Sequence, residues 1–153
     1  MRVIAVGTRM PAWVRSACED YLSRLRGAWA LTLTEIEPGP RSRAGAARAI
    51  AREGERLLAA VRPGDHVIVL DERGTAFTSR ELAAWLTLRM SRGEDLAFIV
   101  GGPDGLSQQV RSRGQLTLSL SRLTLPHALV RVLLLEQLYR AHCILENHPY
   151  HRD

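Results

Sequence analysis

Ile99-Val-Gly-Gly-Pro-Asp-Gly-Leu106, followed after a short gap by Ser119-Leu-Ser-Arg-Leu-Thr-Leu-Pro-His127, is the part of this chain on which its architecture turns. An apolar strand that runs straight into Gly-Gly-Pro-x-Gly leaves bare backbone at a strand's carboxyl end, where a ligand can approach amide groups without meeting a Cβ. The loop lacks the spacing of the dinucleotide-binding fingerprint, and a chain without lysine has no P-loop lysine, so both of those readings are disfavoured. Gly101-Gly-Pro-Asp-Gly105 is then either a tight turn after a strand or a ligand loop. In the second segment Leu120, Leu123 and Leu125 interrupt hydroxyl residues just before a Pro-His that opens a helix. Such apolar side chains can wall an adenine slot while backbone groups read the ring edge; a plain strand-to-helix connection explains them less economically.

Outward from this centre, short β-type runs alternate with helical patterns, the signature of an α/β domain with a mainly parallel sheet flanked by helices. The expected strands are Arg2–Gly7, Leu31–Glu37, His66–Leu70, Leu96–Val100 and Gln115–Ser119. Pro11 starts a first helix, on which Trp13, Val14, Ala17, Cys18, Tyr21, Leu22 and Leu25 fall at helical spacing and are expected in the core. A second helix runs from about Ala46 to Ala60. Arg62-Pro-Gly-Asp65 is a turn into a strand apolar enough to be buried on both faces. Thr78-Ser-Arg-Glu81 matches a capping box and opens a third helix carrying Leu82, Trp85, Leu86 and Arg89. The last helix begins at or near Pro126 and runs to about Glu146. Its apolar residues exceed one narrow stripe, so it packs on two sides, either within one protomer or as a homodimer face.

The 153 residues suit one domain, 1–153, and no repeat, low-complexity tract or internal boundary interrupts them. With 46% apolar and 24% charged residues, and no apolar run near membrane-spanning length, the expectation is a globular protein with no membrane partner. Met1–Gly7 reads as a first strand rather than a signal peptide, which points to the cytoplasm. Cys18 and Cys143 have no second thiol or histidine at metal-ligand spacing and are read as small buried hydrophobes, with no metal site. The net charge of +5 is carried by arginine alone. Coding bias contributes to that, yet planar guanidinium groups also suit phosphate contacts and stacking on bases. Pro38-Gly-Pro-Arg-Ser-Arg-Ala-Gly45 is expected to be a basic loop, equally a solvated linker or an RNA contact.

The tail Asn147-His-Pro-Tyr-His-Arg152 packs two imidazoles, a phenol and a guanidinium into six residues just past a helix end. Such a tail is either frayed or folded over a site. Tyr150 can stack on a base, Arg152 can neutralise a phosphate, and His127 or His148 can move a proton near neutral pH.

Taken together, Val6-Gly-Thr-x-Met-Pro-x-Trp13, Gly54-Glu, Val69-Leu-Asp71, Ile99–Leu106, Leu123–His127, Arg131-Val-Leu133, Glu136-Gln-Leu-Tyr-Arg140 and Asn147–Arg152 resemble, over the full length, the SPOUT-class 23S rRNA pseudouridine N3-methyltransferases, the RlmH family. The resemblance implies a C-terminal trefoil knot, an exception to the rule that chains avoid knots. It implies an S-adenosyl-L-methionine site on three loops of that knot, at Leu70, at Gly101 and Gly102, and along Leu120, Ser121, Arg122, Leu123, Thr124 and Leu125. Arg122 stands where family members often carry a small residue. The resemblance further implies a homodimer with a composite site, in which His127, Tyr150 and Arg152 position the nucleoside and assist its deprotonation. The implied substrate is N3 of a pseudouridine in helix 69 of 23S rRNA on assembled ribosomes, with no DNA partner. Two other readings share the cofactor loops or the basic surface: a related knotted methyltransferase for another RNA target, and a non-catalytic ribosome-associated factor. Intact His127, Tyr150 and Arg152 argue against the last.

Overall fold

The computed structural model describes residues 1–40 and 45–150. Residues 41–44 of the expected basic loop, and Arg152 of the tail, lie outside the described residues. Five strands, β1 (Arg2–Val6), β2 (Thr32–Ile36), β3 (His66–Ala76), β4 (Leu96–Val100) and β5 (Leu116–Ser119), form one sheet in the order β2-β1-β4-β3-β5. Every pairing is parallel. Between and after them run α1 (Ala12–Leu25), α2 (Ala46–Ala60), α3 (Ser79–Ser91), α4 (Gln108–Arg113) and α5 (His127–Leu145).

The alternation of side chains along the strands divides the core in two. Val3, Ala5, Ile68, Leu70, Leu96, Phe98 and Val100 face α1, α3 and α5, whereas Ile4, Val6, Val67, Val69, Ala97 and Ile99 face α2 and α4. A strand covered on both sides needs an apolar residue at every position, which is why β4 reads Leu-Ala-Phe-Ile-Val without a polar break. α5 lies against α1, α3 and β4, the two-sided packing its broad apolar surface required.

All five expected strands form, with ends moved by one residue at Gly7, Leu31, Glu37 and Gln115. β3 is the larger departure, because it continues six residues beyond Leu70. Leu118 of β5 pairs with both Leu70 and Thr75, so Asp71–Gly74 bulge out of the ladder. Gly74 permits the return: a Cβ there would lie 2.6 Å from the Thr117 carbonyl oxygen. The short α4 was not expected. Only Val110 is buried on it, too little for a periodic signal; its start is marked by Ser107, whose hydroxyl accepts from the Val110 N–H at 3.3 Å.

The capping box forms as expected: the Thr78 hydroxyl accepts from the Glu81 N–H at 3.2 Å, and the Thr78 N–H donates to Glu81 Oε2 at 2.7 Å. The Thr78 N–H, and the Thr78 hydroxyl donating to the same Oε2 at 2.9 Å, hold the Glu81 carboxyl below its ordinary pKa. On α1, Val14, Cys18 and Leu25 are buried, but Trp13 is 56% exposed, which corrects its expected place in the core. Its neighbour in the same turn, Val14, takes the buried position instead. Both cysteines are free and buried. No helix among the described residues is long and apolar enough to cross a membrane.

Phe98 is the largest side chain of the central strand and fully buried. Replacing it with alanine is expected to cost about 3–5 kcal/mol, read as a lowered urea midpoint. The Glu81 carboxylate contributes stability that is present above its unfolded pKa and lost as pH falls through its lower folded value. Thr78→Ala should therefore flatten the acid limb of the stability profile.

Candidate active site

Because the strands are parallel, their carboxyl ends share one edge, and the loops leaving β3, β4 and β5 enclose a cavity of about 340 Å³ there. Leu70, Val100, Leu118, Leu120 and Leu125 give it apolar walls, and Gly101 and Gly102 contribute backbone. Ser121, Leu123, Thr124 and His127 complete the expected set on its surface. Of the residues expected in the cofactor loops only Arg122 falls outside the lining; it is exposed.

The glycines are there for space. A Cβ on Gly101 would stand 2.8 Å from Leu106 Cγ, and one on Gly102 would stand 2.7 Å from Glu53 Oε2 and 3.2 Å from Val6 Cγ1. Glu53 of α2 cannot retreat readily, since it is buried and its Oε1 accepts from the Gly39 N–H at 2.9 Å. The loop then closes on itself, with the Gly105 N–H donating to the Gly102 carbonyl at 3.0 Å and Gly105 at φ 89°, a conformation that glycine adopts without strain. Glu53 was not singled out in the sequence; a carboxylate beside Gly54 on an amphipathic helix resembles any surface residue.

Facing the glycine loop, the bulge of β3 presents Asp71 and Glu72. Arg111 Nη1 donates to Asp71 Oδ2 at 2.5 Å and its Nε to the Leu106 carbonyl at 3.3 Å, so one guanidinium ties the β3 bulge to the β4 loop. Thr124 Oγ1 donates to Glu72 Oε2 at 2.8 Å, which holds the segment between β5 and α5 against the same bulge. Within that segment the Ser119 hydroxyl donates to the Ser121 carbonyl at 2.8 Å, and Ser121 Oγ accepts from the Leu123 N–H at 2.9 Å. The hydroxyls between the leucines thus shape the loop, while Leu123 is left 74% exposed at the rim. Asp71 and Arg111 were also missed as site residues. Asp71 could have been found as the first charge after an apolar strand.

His127 opens α5 at the cavity, and Arg131 lies one turn further along the same helix face. Arg131 is fully buried: Nη1 donates to Glu35 Oε1 and Nη2 to the Val6 carbonyl, each at 2.7 Å, with a longer bond from Nη2 to the Gly7 carbonyl at 3.3 Å. It anchors the carboxyl end of β1 to α5. Gly7, at φ 115°, sits between the two side chains, its Cβ position 3.2 Å from Arg131 Nη2 and 3.7 Å from His127 Cε1.

Tyr150 does not reach this cavity. It packs on α5 beside Tyr139 and Glu136, and Glu136 is nine residues past His127, about 13 Å along the axis. Hydrogen bonding with Tyr21, burial and the Glu136 carboxylate raise its phenol well above the ordinary value, so it is neutral at neutral pH. His148, the other imidazole considered for proton transfer, is exposed beside Tyr150.

Gly102→Ala is expected to cost about 1–3 kcal/mol by forcing a methyl group on Glu53 and Val6. Urea unfolding checks this, and Gly102→Val should cost more.

The family model described as "Predicted SPOUT methyltransferase" matches residues 1–151. The Ribosomal RNA large subunit methyltransferase H of Thiobacillus denitrificans is 53% identical over 154 residues, spanning 100% of this chain and 99% of that protein. The proteins of the same name from Methylococcus capsulatus and Bordetella pertussis are 49% and 50% identical, covering 99% and 98% of this chain and 99% and 97% of their own lengths. A solved structure of a probable methylase family protein from Haemophilus influenzae Rd KW20 shares the fold, with a TM-score of 0.58 at 17% identity over 99% of this chain and 70% of that one. From the match of the family model to nearly every residue, including all three loops around the cavity, it follows that the chain belongs to the SPOUT methyltransferase family.

Proposed function

We propose that this chain is a single-domain, S-adenosyl-L-methionine-dependent rRNA methyltransferase that methylates N3 of a pseudouridine in helix 69 of 23S rRNA on assembled ribosomes. The observation that carries the reading is the cavity at the carboxyl ends of β3, β4 and β5, bounded by Leu70, Gly101 and Leu125 and reached by His127. Family membership supports methyl transfer, and the printed names of the relatives support an rRNA substrate. A cytoplasmic location follows from that substrate. The trefoil knot of the family belongs to the same reading.

The lining fits the cofactor. A volume of about 340 Å³ lies in the range of small-molecule sites, and apolar walls with few polar groups are the usual composition. Leu70, Leu120 and Leu125 would hold an adenine between them, and backbone at Gly101 and Gly102 would offer hydrogen bonds at its edge. The wall carries the carboxylates of Asp71, Glu72 and Asp104 beside the guanidinium groups of Arg73 and Arg111, with Asp71 paired to Arg111. When bound, S-adenosyl-L-methionine supplies an activated sulfonium methyl group.

The imide nitrogen of pseudouridine holds its proton at neutral pH and is nucleophilic only without it. In this reading His127 accepts that proton, an imidazole being the side chain able to do so near neutrality. Arg152 stabilises the negative charge as it develops. Tyr150, a neutral phenol, takes part by positioning rather than as a base. Tyr150 lies too far from the cavity of its own chain, which supports a homodimer in which each site takes its tail from the other protomer.

Transfer of labelled methyl to intact ribosomes, isolated subunits, free rRNA and pseudouridine-deficient ribosomes tests the reading; label should appear only on pseudouridine-containing ribosomes. Transfer to none of them, with cofactor affinity intact, would move the target to another RNA. His127→Ala should lower kcat about a hundredfold at unchanged cofactor Kd and regain rate as pH rises and the imide loses its proton unaided. Mixing inactive His127→Ala and Arg152→Ala proteins should restore about a quarter of wild-type activity, since half the dimers are mixed and each of those has one intact site. No restoration would overturn the composite site.

A further inference from the structure

The end of α5 is built to stop the chain in one place. Asn147 takes the left-handed conformation at φ 53°, one that asparagine tolerates better than most residues. The His148 N–H then donates to the Cys143 carbonyl at 2.8 Å and the Asn147 N–H to the Ile144 carbonyl at 3.3 Å. That pair of bonds is a Schellman cap, and it turns the tail back along the helix it has just left.

Where the tail lands, a second set of contacts receives it. The Tyr150 hydroxyl donates to Glu136 Oε1 at 3.2 Å, and the same oxygen accepts from Arg140 Nε at 2.9 Å and Nη2 at 2.5 Å. The Arg140 guanidinium lies 5.0 Å from the centre of the Tyr150 ring, closing a triangle of acid, cation and aromatic face. Tyr139 meets the other side of that ring edge-on, with centroids 4.8 Å apart. The remaining carboxylate oxygen of Glu136 accepts from Gln137 Nε2 at 2.7 Å, and Gln137 Oε1 accepts from the Ser79 hydroxyl at 2.7 Å. The receptor for Tyr150 is therefore itself tied across to α3.

A tail that only needed solubility would have no use for such a receptor. We propose that Glu136 and Arg140 are positioning residues for the C-terminal tail, clamping Tyr150 in one place against α5. Placing a charged group from a fixed pivot is far less costly in entropy than recruiting it from a frayed end. This rests on the reading that the tail completes the site of the partner protomer. Neither residue touches the cavity, so both act through Tyr150.

The test measures kcat, KM for ribosomes, cofactor Kd by calorimetry and amide exchange at 147–150 in Glu136→Gln, Arg140→Met and Arg140→Lys. Glu136→Gln and Arg140→Met should lose exchange protection in the tail and lower kcat about tenfold or more, with cofactor Kd unchanged and the thermal midpoint little moved. Arg140→Lys, which keeps the charge beside Glu136, should recover part of the lost kcat. A merely structural role would lower stability without splitting kcat from Kd, and the lysine variant would not rescue the rate. A chain shortened to end at Tyr150 separates the two layers of argument. If it keeps full activity, the tail has no part in the site and the proposed function is at fault. If it is inactive while Glu136→Gln and Arg140→Met turn over like wild type, the clamp is overturned.

Discussion

A parallel sheet sends every strand out at the same edge, and this constraint organises the rest of the molecule. The chain must return across a face after each strand, so α1, α3 and α5 cover one side and α2 and α4 the other, and every residue of β4 is buried between them. Burial on both faces removes any choice about polarity inside the sheet. Polar chemistry is displaced to the ends of the strands, and at the carboxyl edge the β3 bulge, the glycine loop of β4 and the hydroxyl-rich segment after β5 meet around one cavity.

Convergence alone would leave three loops free to drift, and a small number of side chains hold them. Arg111 joins the β3 bulge to the β4 loop through Asp71 and the Leu106 carbonyl, and Thr124 joins the segment before α5 to the bulge through Glu72. Arg131, buried with two guanidinium nitrogens on backbone carbonyls and on Glu35, fastens the end of β1 to the helix that carries His127. A buried guanidinium is tolerated only when so much of it is hydrogen-bonded. These ties hold the end of α5 that carries His127 in place at the cavity.

The glycine loop shows how closely the two faces of the sheet cooperate. Glu53, on the face opposite α5, occupies the volume that a side chain at Gly102 would require, and is itself held by Gly39. Cofactor-loop geometry is thus set partly from behind by a helix that contributes nothing to the cavity lining.

The five strands, four of the helices and the Thr78 capping box were legible in the residues, because apolar alternation, helical periodicity and cap chemistry are local and repeat over several positions. The three loops that enclose the cavity were also picked out in the residues, which left turn and ligand loop undecided at Gly101–Gly105; the resemblance to the SPOUT family pointed to a ligand loop. What the residues could not convey are relations between distant positions. Leu118 pairing with both ends of the β3 bulge, Arg111 reaching Asp71, Glu53 backing Gly102 and Arg131 reaching Val6 and Glu35 join segments 40 or more residues apart. Trp13 was misplaced because it lies at the edge of the apolar stripe on α1, where Val14 beside it is buried and Trp13 itself is not. Local sequence determined which elements form and which faces they bury, since propensity and burial act over a few residues. The tertiary structure alone decided which charged side chains meet, because an ion pair depends on where two backbones come to rest and leaves no periodic trace in either.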